Sequence, residues 1–262
     1  PPVVKGLPLI GSAIGLSKDI LRFLGKEYES QGDSFIFKLP GRQIFTTRSA
    51  EVAQHILQKN NKNYRKDYGA NKLKMALGNG LLTNEGESWF KQRRLAQPAF
   101  YKKRLESFFD TMQLFTLAHI EEWKNKKSSV VYIDAEMMQL TSKIVVETLL
   151  GSDITKNLTG IQSYIYDIQS YLVKIIRNPV YEWYSAYNGD KKQFENIIQK
   201  FDTILYDVIQ KKKKSDSNND LLSMLIEARD VDTGEAMSDV QLRDELLTIY
   251  VAGHETSGYA IA

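Results

Sequence analysis

The stretch from Ser238 to Ala262, SDVQLRDELLTIYVAGHETSGYAIA, constrains this chain more than any other. It opens with helix-start signals. Ser238 and Gln241 stand at capping-box spacing, and Asp239 lies where the helix dipole favours a negative charge. From Leu246 to Ala252 the residues are apolar almost all round. A helix without a polar face is normally buried, so the remainder of the chain is expected to pack around this one.

Local preference then fails inside that helix. Gly253 costs about 1 kcal/mol relative to Ala in a helix interior. His254 and Glu255 place ionisable groups where the surroundings should be dry, and a buried carboxylate is expensive unless paired. Thr256 and Ser257 add hydroxyls that can bond back to the preceding turn. Two readings fit. Gly253 marks a tight helix crossing with Glu255 reaching solvent, or the segment is a functional site, since such sites often override local rules. A zinc helix is excluded: His254-Glu255 begins His-Glu-x-x-His, but Gly258 holds the second histidine position.

The remaining patterns predict a mainly α fold with a small β-sheet, in a single domain over 1–262. A Pro/Gly-punctuated lead-in (1–11) precedes a helix over 17–30, with Ile20, Leu21, Phe23 and Leu24 on its inner side. Phe35–Lys38 and Gln43–Thr46 flank Leu39-Pro40-Gly41-Arg42, where a type II turn suits Pro then Gly, giving a hairpin. Ser49 caps a short helix carrying Val52, Ile56 and Leu57. Residues 59–80 form a long loop with a short helix near 71–77. One helix spans 105–126, with Phe108, Phe109, Met112, Phe115 and His119 as inner candidates; His119 reads as a packed histidine. A short strand is expected at 130–133, and Gly151 ends a helix over 135–150. Further helices carry Ile161 to Ile175, Phe194 to Val208 and Leu221 to Arg229. An aromatic loop lies at 178–184, a solvated lysine run at Lys211 to Lys214, and a polar linker at 216–220.

Composition narrows the function classes. A net charge of +3 implies no polyanion partner, hence no nucleic acid. There is no cysteine, so disulfides are excluded. No apolar run is long enough to span a bilayer.

Residues 86–100, GESWFKQRRLAQPAF, hold a second informative pattern. Trp89 and Arg93 are four apart and share a helix face. An indole N–H beside a guanidinium makes a donor pair suited to a carboxylate, although alone it equally describes a Trp packed on an Arg stem.

Taken together, Ala252-Gly253-His254-Glu255-Thr256, the Trp89-x-x-x-Arg93 helix running into Pro98-Ala99-Phe100, and the order of lead-in, hairpin, aromatic segment and central helix resemble the N-terminal part of a cytochrome P-450. The resemblance implies that fold, incomplete in this chain, which ends within the central helix. The Glu-x-x-Arg helix and the cysteine that ligates the iron are expected beyond residue 262, so no metal ligand is expected here.

The implied activity is that of a haem-thiolate monooxygenase with heme b (iron protoporphyrin IX). It would use O2 and electrons from a ferredoxin with its reductase, or another donor, to hydroxylate or oxidatively O-demethylate a small organic substrate. By the same resemblance Thr256 steadies the oxygen and Glu255 helps relay protons. Trp89 and Arg93 donate to a haem propionate, and Leu81, Ala252, Gly253 and Thr256 lie against the haem. Leu82, Tyr68, Leu172, Ile176, Trp183 and Ile249 line the substrate pocket, with the segment around Trp183 as its lid. Fatty acid, terpenoid, O-methylated compound and methylated sugar all remain open as substrates. Lys91, Arg94, Lys102, Lys103 and Arg104 form a basic cluster for an acidic electron donor, or ordinary solvated charge. The expected protein is a soluble cytoplasmic monomer, with an N-terminal anchor preceding Pro1 compatible with the sequence. The rival class is a haem-free helical domain that binds a small apolar molecule.

Overall fold

Alternating burial at Phe35 and Phe37 defines the first strand of the computed structural model, which describes residues 1–125, 130–151, 161–215 and 220–262. Two compact units result, Pro1–Arg65 and Lys66–Ala262.

In the first unit, β1 (Ser34–Leu39) pairs antiparallel with β2 (Arg42–Thr47), in a register running from Ser34 opposite Thr47 to Leu39 opposite Arg42. Gly41 takes φ 70°, as the expected turn requires. The lead-in joins the sheet through Val4 N–H to the Ile36 carbonyl at 2.8 Å. Phe23 meets Phe37 edge-on at 5.6 Å, and Tyr28 meets Phe35 at 5.0 Å. The helix expected over 17–30 is two, α1 (Ala13–Lys18) and α2 (Ile20–Gln31). Asp19 breaks them with extended backbone and caps α2 by accepting from Arg22 N–H. Ile20 and Leu21 are exposed, leaving Phe23 and Leu24 as the inward residues. Ser49 caps α3 (Ala50–Gln54), which continues as a wider turn over His55–Lys59, and there Leu57 faces solvent.

The second unit is helical. α4 (Tyr68–Leu77) and α5 (Gly86–Ala96) precede α6 (Lys102–Glu106) and α7 (Phe109–Asn125). The single helix expected over 105–126 is therefore two, parted where Ser107 bonds back to the Arg104 carbonyl at 2.6 Å; Lys126 lies outside the described residues. No strand forms at 130–133, because Ile133 already begins α8 (Ile133–Leu150). Gly151, at φ 78°, ends that helix as expected. α9 (Ile161–Arg177) keeps the predicted helical spacing. The segment expected as an aromatic loop is helical, α10 (Pro179–Asn188). Its proline sits at the first helical position, where an N–H is dispensable and φ is already suitable. α11 (Asp190–Lys213) and α12 (Leu221–Glu227) follow. The lysine run is not uniformly solvated: Lys212 is buried and paired with Asp220, which also caps α12 through Ser223 N–H. The polar linker at 216–219 lies outside the described residues.

The central helix is α13 (Asp239–Ile261), capped by Ser238 Oγ accepting from Gln241 N–H at 3.2 Å. Leu242, Leu246, Leu247 and Tyr250 are buried in the main core, and α13 packs on α4, α8, α11 and α12. No helix among the described residues is long and apolar enough to cross a membrane.

Candidate functional site

The site begins where the loop after α4 meets the central helix. Gly78 stands at φ 58°, and a Cβ there would lie 2.2 Å from Asp244 Oδ1. A Cβ on Gly80 would lie 2.1 Å from Thr248 Oγ1 and 2.6 Å from the Asp244 carbonyl. Only glycine lets this backbone come so close. The contact is also polar. Asp244 Oδ2 accepts from Asn79 N–H at 2.7 Å, and Glu245 Oε2 accepts from Leu81 N–H at 3.0 Å. Asp244 Oδ1 accepts from Arg243 at 2.9 Å, and Arg243 donates in turn to Asp202 at 2.7 Å.

Glu245 is wholly buried. Burial pushes its carboxyl up to about 7; the Leu81 N–H pulls downward and the Asp244 charge pushes upward. Its Oε1 and the Thr248 hydroxyl have no hydrogen-bond partner among the described residues. The sequence reading missed Asp244 and Glu245. The available signal was a pair of adjacent carboxylates on a helix that had to be buried.

α5 brings Trp89 and Arg93 to this loop. The Trp89 indole N–H donates to the Leu81 carbonyl at 3.1 Å. The Arg93 guanidinium lies over the Trp89 ring, 5.3 Å from its centre, and is exposed. Among the described residues no carboxylate pairs with Arg93. One line of contacts thus runs from Glu245 through the Leu81 backbone and Trp89 to Arg93.

Further along α13 the two sides of the helix separate. On one side, Gly253 would place a Cβ 3.2 Å from Val145 Cγ2, and Gly258 would place one 2.6 Å from Met138 Sδ, so both glycines face α8. Thr141 Oγ1 donates to the His254 carbonyl at 2.9 Å, and Ser142 bonds the Tyr250 hydroxyl at 2.6 Å. His254 is buried, its Nδ1 3.1 Å from the Tyr250 carbonyl. On the other side, Ala252 and Thr256 are exposed and Ile249 is half-buried. Thr256 Oγ1 donates to the Ala252 carbonyl at 2.5 Å. Glu255 is half-buried and accepts from Gln169 Nε2 at 2.8 Å, which ties it to α9. Gly253 is thus at a helix crossing, Glu255 is held by Gln169 rather than free in solvent, and Ala252 and Thr256 are exposed.

Leu172 is 4% exposed and belongs to the core, and the half-buried Ile176 packs against that core. Tyr68 is half-buried on α4 under the Lys72 ammonium, 5.0 Å from its ring centre, and Lys72 pairs with Glu182 of α10 at 2.5 Å. Trp183 is 67% exposed, its ring 5.1 Å from that of Tyr187. Leu81 packs against the core, whereas Leu82 is exposed. The basic cluster also divides. Lys91 pairs with Glu235 at 2.6 Å, and Arg94 pairs with Asp230 and Asp232 at 2.7 Å each. Arg94 holds the Asp230 carboxyl down to about 2. Lys102 lies 3.8 Å from Glu106, so the freely solvated charge is chiefly Lys102, Lys103 and Arg104.

Comparison with known proteins gives this geometry a context. A family model described as Cytochrome P450 matches residues 1–262. The chain is 28% identical to the cyclooctatin synthase of Streptomyces melanosporofaciens, over 98% of this chain and 56% of that protein. It is 24% identical to the cyclooctat-9-en-7-ol 5-monooxygenase of the same organism, over 98% of this chain and 55% of the other. Its fold matches the crystal structure of a cytochrome P450DA heme domain with a TM-score of 0.84 at 19% identity, covering 98% of this chain and 57% of that one. The chain thus spans about half the length of these curated relatives.

Proposed function

The chain belongs to the cytochrome P450 family, and from that membership we propose that the complete protein is a haem-thiolate monooxygenase for which this chain supplies the oxygen-side helix and a propionate-binding arginine. The observation that carries the reading is the open strip of Ala252 and Thr256 on a helix otherwise buried around its middle. A small residue and a hydroxyl left bare there fit a flat apolar group better than they fit a packing surface. The exposed Arg93, lacking a carboxylate partner among the described residues, fits an anionic edge on the same group.

Haem, when bound, would supply dioxygen activation, with its cysteine ligand expected outside this chain. The residues of this chain bind, orient and handle protons. Arg93 donates to a propionate, and the Trp89 ring, fixed by its bond to Leu81, holds the guanidinium in place. The Ala252 methyl leaves room along the helix. The Thr256 hydroxyl donates to the Ala252 carbonyl, which leaves its lone pairs to accept from an O–H group at the strip. Glu255, steadied by Gln169, sits one residue away and passes protons from the solvent side.

The reaction is hydroxylation of a small organic substrate of largely apolar character. A relative named as a monooxygenase of cyclooctat-9-en-7-ol supports that class. Oxidative O-demethylation begins with the same attack on a C–H bond, so the same site would serve an O-methyl carbon. Electrons come from a separate donor such as a ferredoxin.

In the complete protein, Thr256→Ala should lower product formed per electron consumed while the reductant is still oxidised. Measuring reductant consumption and product together tests this, and unchanged coupling would remove Thr256 from the role. A reduced carbon-monoxide difference spectrum tests the haem itself: no thiolate-type Soret band in folded, complete protein would sink the whole reading.

A further inference from the structure

Lys66 has no assigned role in the site, yet its side chain is spent wholly on one piece of backbone. Its ammonium donates to the carbonyls of Leu81 at 3.2 Å, Leu82 at 2.8 Å and Asn84 at 2.6 Å. An ammonium has three protons, and these three acceptors use them all. On the same segment, Asp244 and Glu245 take the N–H groups of Asn79 and Leu81. Carbonyls are gripped by a cation and N–H groups by carboxylates. The charge-assisted bonds of the Lys66 ammonium are roughly twice as strong as neutral ones.

We propose that Lys66 is a positioning residue that, opposite Glu245, clamps the 78–84 segment and so fixes Trp89 and Arg93 for the cofactor. The link is direct, because the Leu81 carbonyl held by Lys66 is the one that receives the Trp89 indole N–H. Burial lowers the Lys66 pKa, and the Glu85 charge partly restores it. Lys66, which also donates its backbone N–H to Glu85 at 3.3 Å, is thus tied to this segment.

The cofactor part of this inference rests on the haem reading; the clamp itself does not. The test uses the full-length holoprotein with Lys66→Met, which keeps the stem and removes the donors, and Lys66→Arg, which keeps charge and donors. Amide hydrogen exchange of the 78–84 segment should quicken about tenfold or more in Lys66→Met, the scale of losing bonds to a charged donor. Transfer of haem to an apomyoglobin scavenger should quicken similarly. Lys66→Arg should restore most of both, which a loss of mere bulk would not predict.

Unchanged exchange at 78–84 in a folded Lys66→Met protein would overturn the clamp. Faster exchange with unchanged haem loss would overturn the link to Trp89 and Arg93. Should Lys66→Met fail to fold, comparison of Lys66→Arg with Lys66→Gln decides: equal exchange in those two overturns the clamp, and faster exchange in the Gln variant supports it. Wild-type protein that takes up no haem would refute the haem reading, while the exchange measurement would still decide the clamp.

Discussion

Glu245 is fully buried, accepts one backbone N–H and keeps one oxygen without a partner among the described residues. Burial pushes its carboxyl up to about 7, well above the ordinary glutamate range. The folded state therefore holds a proton that the unfolded chain has already released, so this residue's contribution to stability falls as pH rises across that window and levels off above it. Glu245→Gln removes the titration. The stability of the variant relative to wild type should rise between about pH 5 and pH 7.5 by up to roughly 3 kcal/mol. Denaturant unfolding of both proteins across that range measures it, and a difference independent of pH would exclude a buried, proton-holding Glu245. At this scale the sequence was partly legible. The shared helix face of Trp89 and Arg93 follows from their spacing, whereas the roles proposed for them and for Thr256 came from the family resemblance. Glu245 was missed because a carboxylate in the first turns of a helix ordinarily reads as dipole complement.

Among elements, a tight junction forms between the Gly78–Gly80 turn and the central helix. Gly80→Ala would drive a methyl to 2.1 Å from Thr248 Oγ1 and 2.6 Å from a backbone oxygen that cannot rotate away. It should destabilise the protein by roughly 1–3 kcal/mol, the usual scale of overpacking. Gly253→Ala meets only a Val145 methyl at 3.2 Å and gains about 1 kcal/mol of helix propensity, so its net effect should be close to zero. Thermal unfolding of the two variants separates them, and equal losses would refute this account of the junction. Most element identities followed from periodicity, but the strand expected at 130–133 did not form, the loop expected at 178–184 is helical, and boundaries shifted. Asp19 can lie within a helix or cap the next one, and Pro179 can break a helix or start one. Neither choice can be made until the neighbouring turns have a surface to pack on.

For the whole molecule, charge sorts by partner rather than by composition. The basic residues around α5 read as one cluster in sequence, yet Lys91 and Arg94 are engaged by the acidic 230–235 turn. On the proposed reading, Lys102, Lys103 and Arg104 are the charge left to steer an acidic electron donor. Reversing Lys102 and Lys103 to Glu should slow ferredoxin-dependent turnover of the complete protein and flatten its dependence on ionic strength, with stability nearly unchanged. Initial rates over a salt series check this, and an unaltered salt slope would reject docking at this face. The mainly helical class with one hairpin and the burial of the central helix were determined by the sequence itself. These depend on periodicity, caps and turn residues, which act between neighbours along the chain. Which side of the central helix stays open, where Gly253 turns, and how Lys66, Glu245 and Leu81 converge were decided by tertiary structure. Those outcomes depend on the backbones of distant segments approaching within a few ångströms, and no local pattern encodes that distance.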